Sequence, residues 1–212
     1  MKLFLFILGI LISVPLTSQD NFDLKVRLND HVFMVQKDQK YGLVSSQGEM
    51  ILDCEYERFE FNEFWAITKR NGKVGLVTQL GKVLLPAEYE SIKFGGSHGI
   101  TKKDGKFGVI DINGNVILPN EYDSLQFSGK YGLVRKDSKF GMVTIDGKFV
   151  VPVVYDEISV NGSIAICKKY GKYGAFGLDG KIHAACVYDG IKIDRGRIVT
   201  VKDGRIKVIT PK

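Results

Sequence analysis

The chain has 212 residues, 44 % of them hydrophobic and 25 % charged, which is too apolar for a disordered polymer and long enough for one compact domain or one repeat array. Thirty basic against 24 acidic residues leave a net charge of +6. Three cysteines are too few for a disulfide-built scaffold, and the odd number leaves at least one of Cys54, Cys167 and Cys186 unpaired or bonded to another chain.

Residues 1–18 read as a secretory signal peptide. Lys2 precedes an apolar run from Leu3 to Val14, and Pro15, Leu16, Thr17 and Ser18 close it with small residues. The run is shorter than the roughly 20 residues of a bilayer span, although a retained anchor is the other reading. Cleavage after Ser18 predicts a secreted or periplasmic chain, residues 19–212, with no further transmembrane span.

From residue 22 onward the chain repeats every 33 residues. Lys40, Lys73, Lys106, Lys139 and Lys172 recur, and Arg205 continues the series. Two residues after each lysine stand Gly42, Gly75, Gly108, Gly141 and Gly174, followed by Gly48, Gly81, Gly114, Gly147 and Gly180. Tyr56, Tyr89, Tyr122, Tyr155 and Tyr188 follow, each trailed by an acid: Glu57, Glu90, Asp123, Asp156 and Asp189. A fixed period over five full copies plus partial ends marks units that bury their apolar faces on their neighbours. The glycine and tyrosine columns are therefore expected to be structural.

Each unit reads as three short strands. In one of them these are Tyr131 to Lys136, Phe140 to Ile145 and Phe149 to Tyr155. Asn71-Gly72, Asp104-Gly105 and Asp203-Gly204 mark the first turn, and Asn113-Gly114, Asp146-Gly147 and Asp179-Gly180 the second. Both pairs suit primed hairpin turns. Adjacent apolar pairs such as Leu43-Val44 and Leu76-Val77, and the continuous runs Val83 to Leu85 and Val116 to Leu118, predict strands covered on both faces. Pro86, Pro119 and Pro152 share a column at the end of the third strand, where an absent N–H costs little. The glycine after the aromatic lets a ring or backbone come close. The expected fold is all-β, an open twisted array of three-stranded meanders. Thirty-three residues is short for a four-stranded propeller blade, and a closed propeller-like ring is the alternative.

The segment Lys106 to Asp123, KFGVIDINGNVILPNEYD, resembles the bacterial WG (KWG) repeat: Lys-Trp-Gly, an apolar pair, Asn or Asp, a turn Gly, a second apolar pair, Pro and Tyr-Asp. The resemblance covers about residues 22–209. The family tryptophan is replaced by Tyr41, Val74, Phe107, Phe140 and Tyr173, and the proline column carries Asp53 and Ala185 in two units. The resemblance implies a secreted or surface-associated β-repeat protein that acts as an interaction scaffold, without catalysis.

Basic residues crowd the first turn of each unit. Arg70, Lys103, Lys136, Lys169 and Lys202 continue a column begun by Lys37, while Lys69, Lys102, Arg135 and Lys168 form a partial one. With the Lys40 column, these account for 16 of the 30 basic residues. Aligned turns would form a basic ridge able to attract an anionic protein, glycan or envelope surface. The same lysines also serve to keep strand edges soluble. Arg70, Lys102, Lys103, Lys136, Lys169 and Lys202, with Trp65 and Tyr131 as aromatic anchors, are the candidate binding residues. No nucleic-acid motif appears. His31, His98 and His183 occupy different columns without metal-ligand spacing, and no nucleophile, phosphate-loop or metalloprotease motif is present. No catalysis, cofactor or metal is expected. Asp111-x-Asn113-Gly114 reads as a turn, because no closing glutamate completes a calcium loop. The expected activity is non-catalytic protein–protein interaction, with an anionic glycan or envelope partner as the alternative.

Overall fold

The computed structural model describes residues 21–211, so the leader read over residues 1–18 lies outside the described residues. The described chain is all-β, with six antiparallel sheets, each made of strands consecutive in sequence, and none closes into a barrel. Five sheets have four strands and the last has three. The sheet with the strands predicted above runs Ser124–Ser128, Tyr131–Lys136, Lys139–Thr144 and Phe149–Tyr155. The expected three-stranded meander thus gains a strand. The addition fits into 33 residues because the joints are minimal. One acid, such as Asp123, is the whole connection between Val116–Tyr122 of one sheet and Ser124–Ser128 of the next.

The first turn is a primed hairpin. Both of its residues have positive φ, as at Asn71 (51°) and Gly72 (74°), and Gln39 and Ser138 (62° each) adopt the same region where the other units carry glycine. The second turn departs from expectation. Only its glycine is left-handed (Gly114, 82°), and Gly114 N–H donates to Asp111 O at 3.1 Å. This is a type I turn closed by one left-handed residue, which a three-residue hairpin loop needs. Asp111 Oδ1 accepts the Asn113 and Asn115 N–H groups at 2.8 Å each, so the apparent calcium-loop start is a turn.

The third and fourth strands explain most of the repeat motif. Their register places the aromatic column opposite the tyrosine column: Tyr41 pairs with Tyr56, Val74 with Tyr89, Phe140 with Tyr155 and Tyr173 with Tyr188. Between these pairs and the next, Leu76 with Leu85, the fourth strand bulges. The bulge crosses directly over the glycine. A Cβ on Gly75 would stand 2.7 Å from Leu85 O and 2.8 Å from Ala87 N. The proline column occupies this bulge on an edge strand, inside the fourth strand rather than at a strand end, where no ladder N–H is required.

The described chain forms two compact units. The first contains residues up to Gly105 with Val109–Val116, and the second contains Lys106–Gly108 with Ile117 onward. In the first, Val26, Met34, Leu43 and Tyr56 of one sheet pack on Phe59, Ala66 and Val77 of the next. Leu76, Leu85 and Tyr89 then pack on Ile92 and Ile110. In the second, Met142, Val151 and Tyr155 pack on Ala165, Cys167 and Phe176, and Ile164, Ala175 and Ala184 pack on Ile198. Leu43 and Val44, adjacent along one strand, are both buried, so both faces are covered as the apolar pairs predict. Cys167 is the small core residue its column implies, in register with buried Val35, Thr68, Thr101 and Val134.

Candidate interaction surface

The acid after each tyrosine is a clamp. Asp123 N–H donates to Arg135 O at 2.8 Å, extending the next sheet's first hairpin. Its Oδ2 accepts the Asp137 N–H of that hairpin's turn at 2.9 Å, and its Oδ1 is ion-paired with Lys106. Asp156 and Asp189 repeat this with Tyr170 and Lys139, and with Asp203 and Lys172. Glu57 and Glu90 accept the Gly72 and Gly105 N–H groups at 3.1 and 2.8 Å. Lys106 therefore holds Asp123 well below the usual carboxylate range, and Lys139 and Lys172 do the same for Asp156 and Asp189. For Glu57 and Glu90 the turn amide is the main cause.

The first basic column is paired as well, over part of its length. Arg70 meets Glu55 at 2.7 Å, Lys103 meets Glu88 at 2.6 Å and Lys136 meets Glu121 at 2.8 Å. The hydrogen bond to Glu88 raises Lys103, and the bond to Glu121 raises Lys136. Beneath them lie buried tyrosines: Arg70 stands 5.8 Å over the Tyr56 ring and Lys103 5.6 Å over Tyr89. Four tyrosines of the column, Tyr56, Tyr89, Tyr122 and Tyr155, are buried, and burial pushes Tyr155 up to about 12. Lys102 pairs with Glu90 at 3.1 Å and Lys69 with Glu57 at 3.7 Å. The ridge is consequently a surface of alternating charge. Lys169 and Lys202 differ, because Val154 and Val187 stand where the other sheets carry the glutamate.

The two aromatic anchor candidates are partly buried and make contacts within the chain. Trp65 stacks on Phe94 with centroids 4.1 Å apart, beside the cluster around Leu76. Tyr131 lies half-buried against the Met142 cluster, with Lys130 5.3 Å over its ring. Cys54, Cys167 and Cys186 are free thiols, and burial pushes Cys167 up to about 12. Such a thiol stays protonated and unreactive at neutral pH.

One surface feature escaped the sequence reading. Met50, Val83, Val116, Phe149 and Ile182 occupy one repeat position, the start of each fourth strand, and all are between 45 and 65 % exposed. Their neighbours Leu85 and Leu118 are buried, so these apolar runs are half outward-facing rather than wholly internal. The signal was the 33-residue recurrence of apolar residues next to the second turn.

The model of the WG containing repeat matches residues 41–73, 107–140 and 140–173. The chain carries WG repeats. The matched segments open on Tyr41, Phe107 and Phe140, the aromatic that faces the tyrosine column across the bulge. In these WG repeats the lysine, aromatic, glycine, proline, tyrosine and acid form one closure device joining a third strand, a fourth strand and the next sheet's turn. None of the curated proteins matches the chain. Among solved structures, it is similar to Kluyveromyces lactis Hsv2 at 10 % identity, over 84 % of this chain and 70 % of that one, with a TM-score of 0.33. It is also similar to the WD40 β-propeller domain of Doa1 at 14 % identity, over 91 % and 80 % of the two chains, with a TM-score of 0.27. Likeness at this level carries no inference about function.

Proposed function

We propose that this chain is a non-catalytic scaffold that binds a protein partner on its outward edge strands. The observation behind this reading is the exposed apolar column of Met50, Val83, Val116, Phe149 and Ile182. Interior demands do not explain outward apolar residues at the same position of five sheets, whereas contact with another protein does. Pairing of Arg70, Lys102, Lys103 and Lys136 with their own carboxylates favours a protein partner over a polyanionic glycan laid along the ridge. Replacing Val83, Val116, Phe149 and Ile182 together by threonine should abolish capture of partner proteins from the source envelope fraction. Each exposed substitution should change stability by no more than about 0.5 kcal/mol, and threonine retains strand preference. Equal capture by the variant and the native chain would reject the reading.

Export is the second part of this proposal, resting on Lys2 and the apolar run Leu3 to Val14. Terminal sequencing of chain recovered from the outer compartment should begin near Gln19. Recovery there with Met1 intact overturns it.

A further inference from the structure

The outward positions of the fourth strands are their first, fourth and sixth residues. On Met50–Tyr56, Val83–Tyr89 and Val116–Tyr122 the sixth is Glu55, Glu88 or Glu121, each paired to a turn cation. On Phe149–Tyr155 and Ile182–Tyr188 all three are apolar: Phe149, Pro152 and Val154, then Ile182, Ala185 and Val187. Val154 and Val187 are 39 and 43 % exposed. The cations opposite them remain lysines. Among the described residues neither Lys169 nor Lys202 has a carboxylate within 4.0 Å, and Lys169 rests 5.3 Å over the exposed Tyr170 ring. Asp189, whose charge Lys202 feels, is already held by Lys172 and the Asp203 N–H. Phe22 precedes Lys37 in the same way, but that sheet's fourth strand keeps Asp53 and Glu55. The pattern therefore breaks on two consecutive sheets of the second unit.

We infer that the outward face of Phe149–Tyr155 and Ile182–Tyr188, with Lys169 and Lys202, docks an acidic, apolar segment of a partner protein. The inference rests on the scaffold reading and names the chemistry of its partner. A visiting carboxylate takes the seat that Glu121 fills beside Lys136 on the preceding sheet, and its apolar neighbours cover Val154 and Val187. Charge complementarity selects the partner, because two cations with no carboxylate within 4.0 Å among the described residues, beside the exposed Val154 and Val187, attract an acidic segment and repel a basic one. The apolar contact separates it from a plain polyanion.

The test uses the full chain and a fluorescein-labelled peptide of alternating glutamate and leucine, followed by anisotropy. The native chain should bind this peptide and discriminate against one of alternating glutamate and serine. Val154→Glu with Val187→Glu, which copies the internal pairing of the other sheets, should weaken binding about tenfold or more without lowering the melting temperature. Lys169→Gln with Lys202→Gln should weaken it similarly, and Lys103→Gln with Lys136→Gln should leave it unchanged. The inference is overturned if the native chain binds the peptide no better than the Val154→Glu, Val187→Glu variant. It is equally overturned if the serine peptide or dextran sulfate binds as well, since charge alone would then suffice. Failure here, with partner capture still lost in the threonine variant of the apolar column, rejects this partner chemistry and leaves the scaffold reading standing. Failure of both rejects both.

Discussion

Replacing Gly75 with valine is expected to unfold the second sheet. Even the Cβ of an alanine would meet Leu85 O at 2.7 Å, Ala87 N at 2.8 Å and Pro86 C at 2.9 Å. All three are backbone atoms of the bulge, so no rotamer relieves the clash. Extra atoms forced into a packed site cost about 1–3 kcal/mol, and opposition from main chain on several sides places Gly75→Val at the top of that range or above. Trp65 stands in the same sheet and supplies a local fluorescence signal. Its denaturant midpoint should fall sharply. The comparison is Lys207→Val. Residue 207 is the same repeat position in the sixth sheet, which has three strands among the described residues, and a side chain is already present there. That change should be near neutral. Similar losses in both variants would show that the bulge does not set the glycine requirement.

Acid should loosen all the sheet corners together. Glu57, Glu90, Asp123, Asp156 and Asp189 are each lowered below their ordinary values in the folded chain. A carboxylate lowered on folding contributes stability that is complete above its unfolded pKa, roughly 4, and is lost as pH falls through the folded value. Lys139 and Lys172, raised by the same pairs, give the converse. Their contribution is complete below the unfolded lysine value, roughly 10.4, and is lost as pH rises through the folded one. The melting temperature should therefore form a plateau across neutral pH and drop steeply below about pH 4. A variant carrying Glu57→Gln, Glu90→Gln, Asp123→Asn, Asp156→Asn and Asp189→Asn should melt lower at pH 7 and lose less on acidification. Parallel curves for the two proteins would remove the clamp from the account.

What could be read in advance was whatever a column of identical residues expresses by itself. The period, the primed first turn at Asn71-Gly72, the close approach over Gly42 and the two-sided burial of Leu43-Val44 all follow from local chemistry. The first strand of each sheet was hidden. Arg58–Phe61 and Glu157–Asn161 are short, mixed in polarity and preceded by a single acid instead of a turn signal. The pairing of the ridge cations was hidden for another reason. Lys103 and Glu88 lie 15 residues apart, and only the bend at Glu90 folds one column onto the other. Trp65 and Phe94 sit in unrelated columns, so their stack has no periodic trace. Val83 and Val116 open continuous apolar runs, and the run alone does not reveal which end faces outward.

The single-acid corner also bears on how such a chain can lengthen. Asp123 follows the last strand of one sheet without a break, yet its carboxylate and amide close the hairpin of the next. The sequence period and the sheet are therefore out of phase, and neither has a privileged boundary. Recombination between any two equivalent positions, whichever column carries the breakpoint, inserts one complete set of four strands and one clamp. It keeps the 33-residue register at the junction. Growth or loss of a sheet is then a single genetic event that leaves every corner chemically familiar, and individual surfaces, such as the one around Val154 and Val187, are free to diverge afterwards.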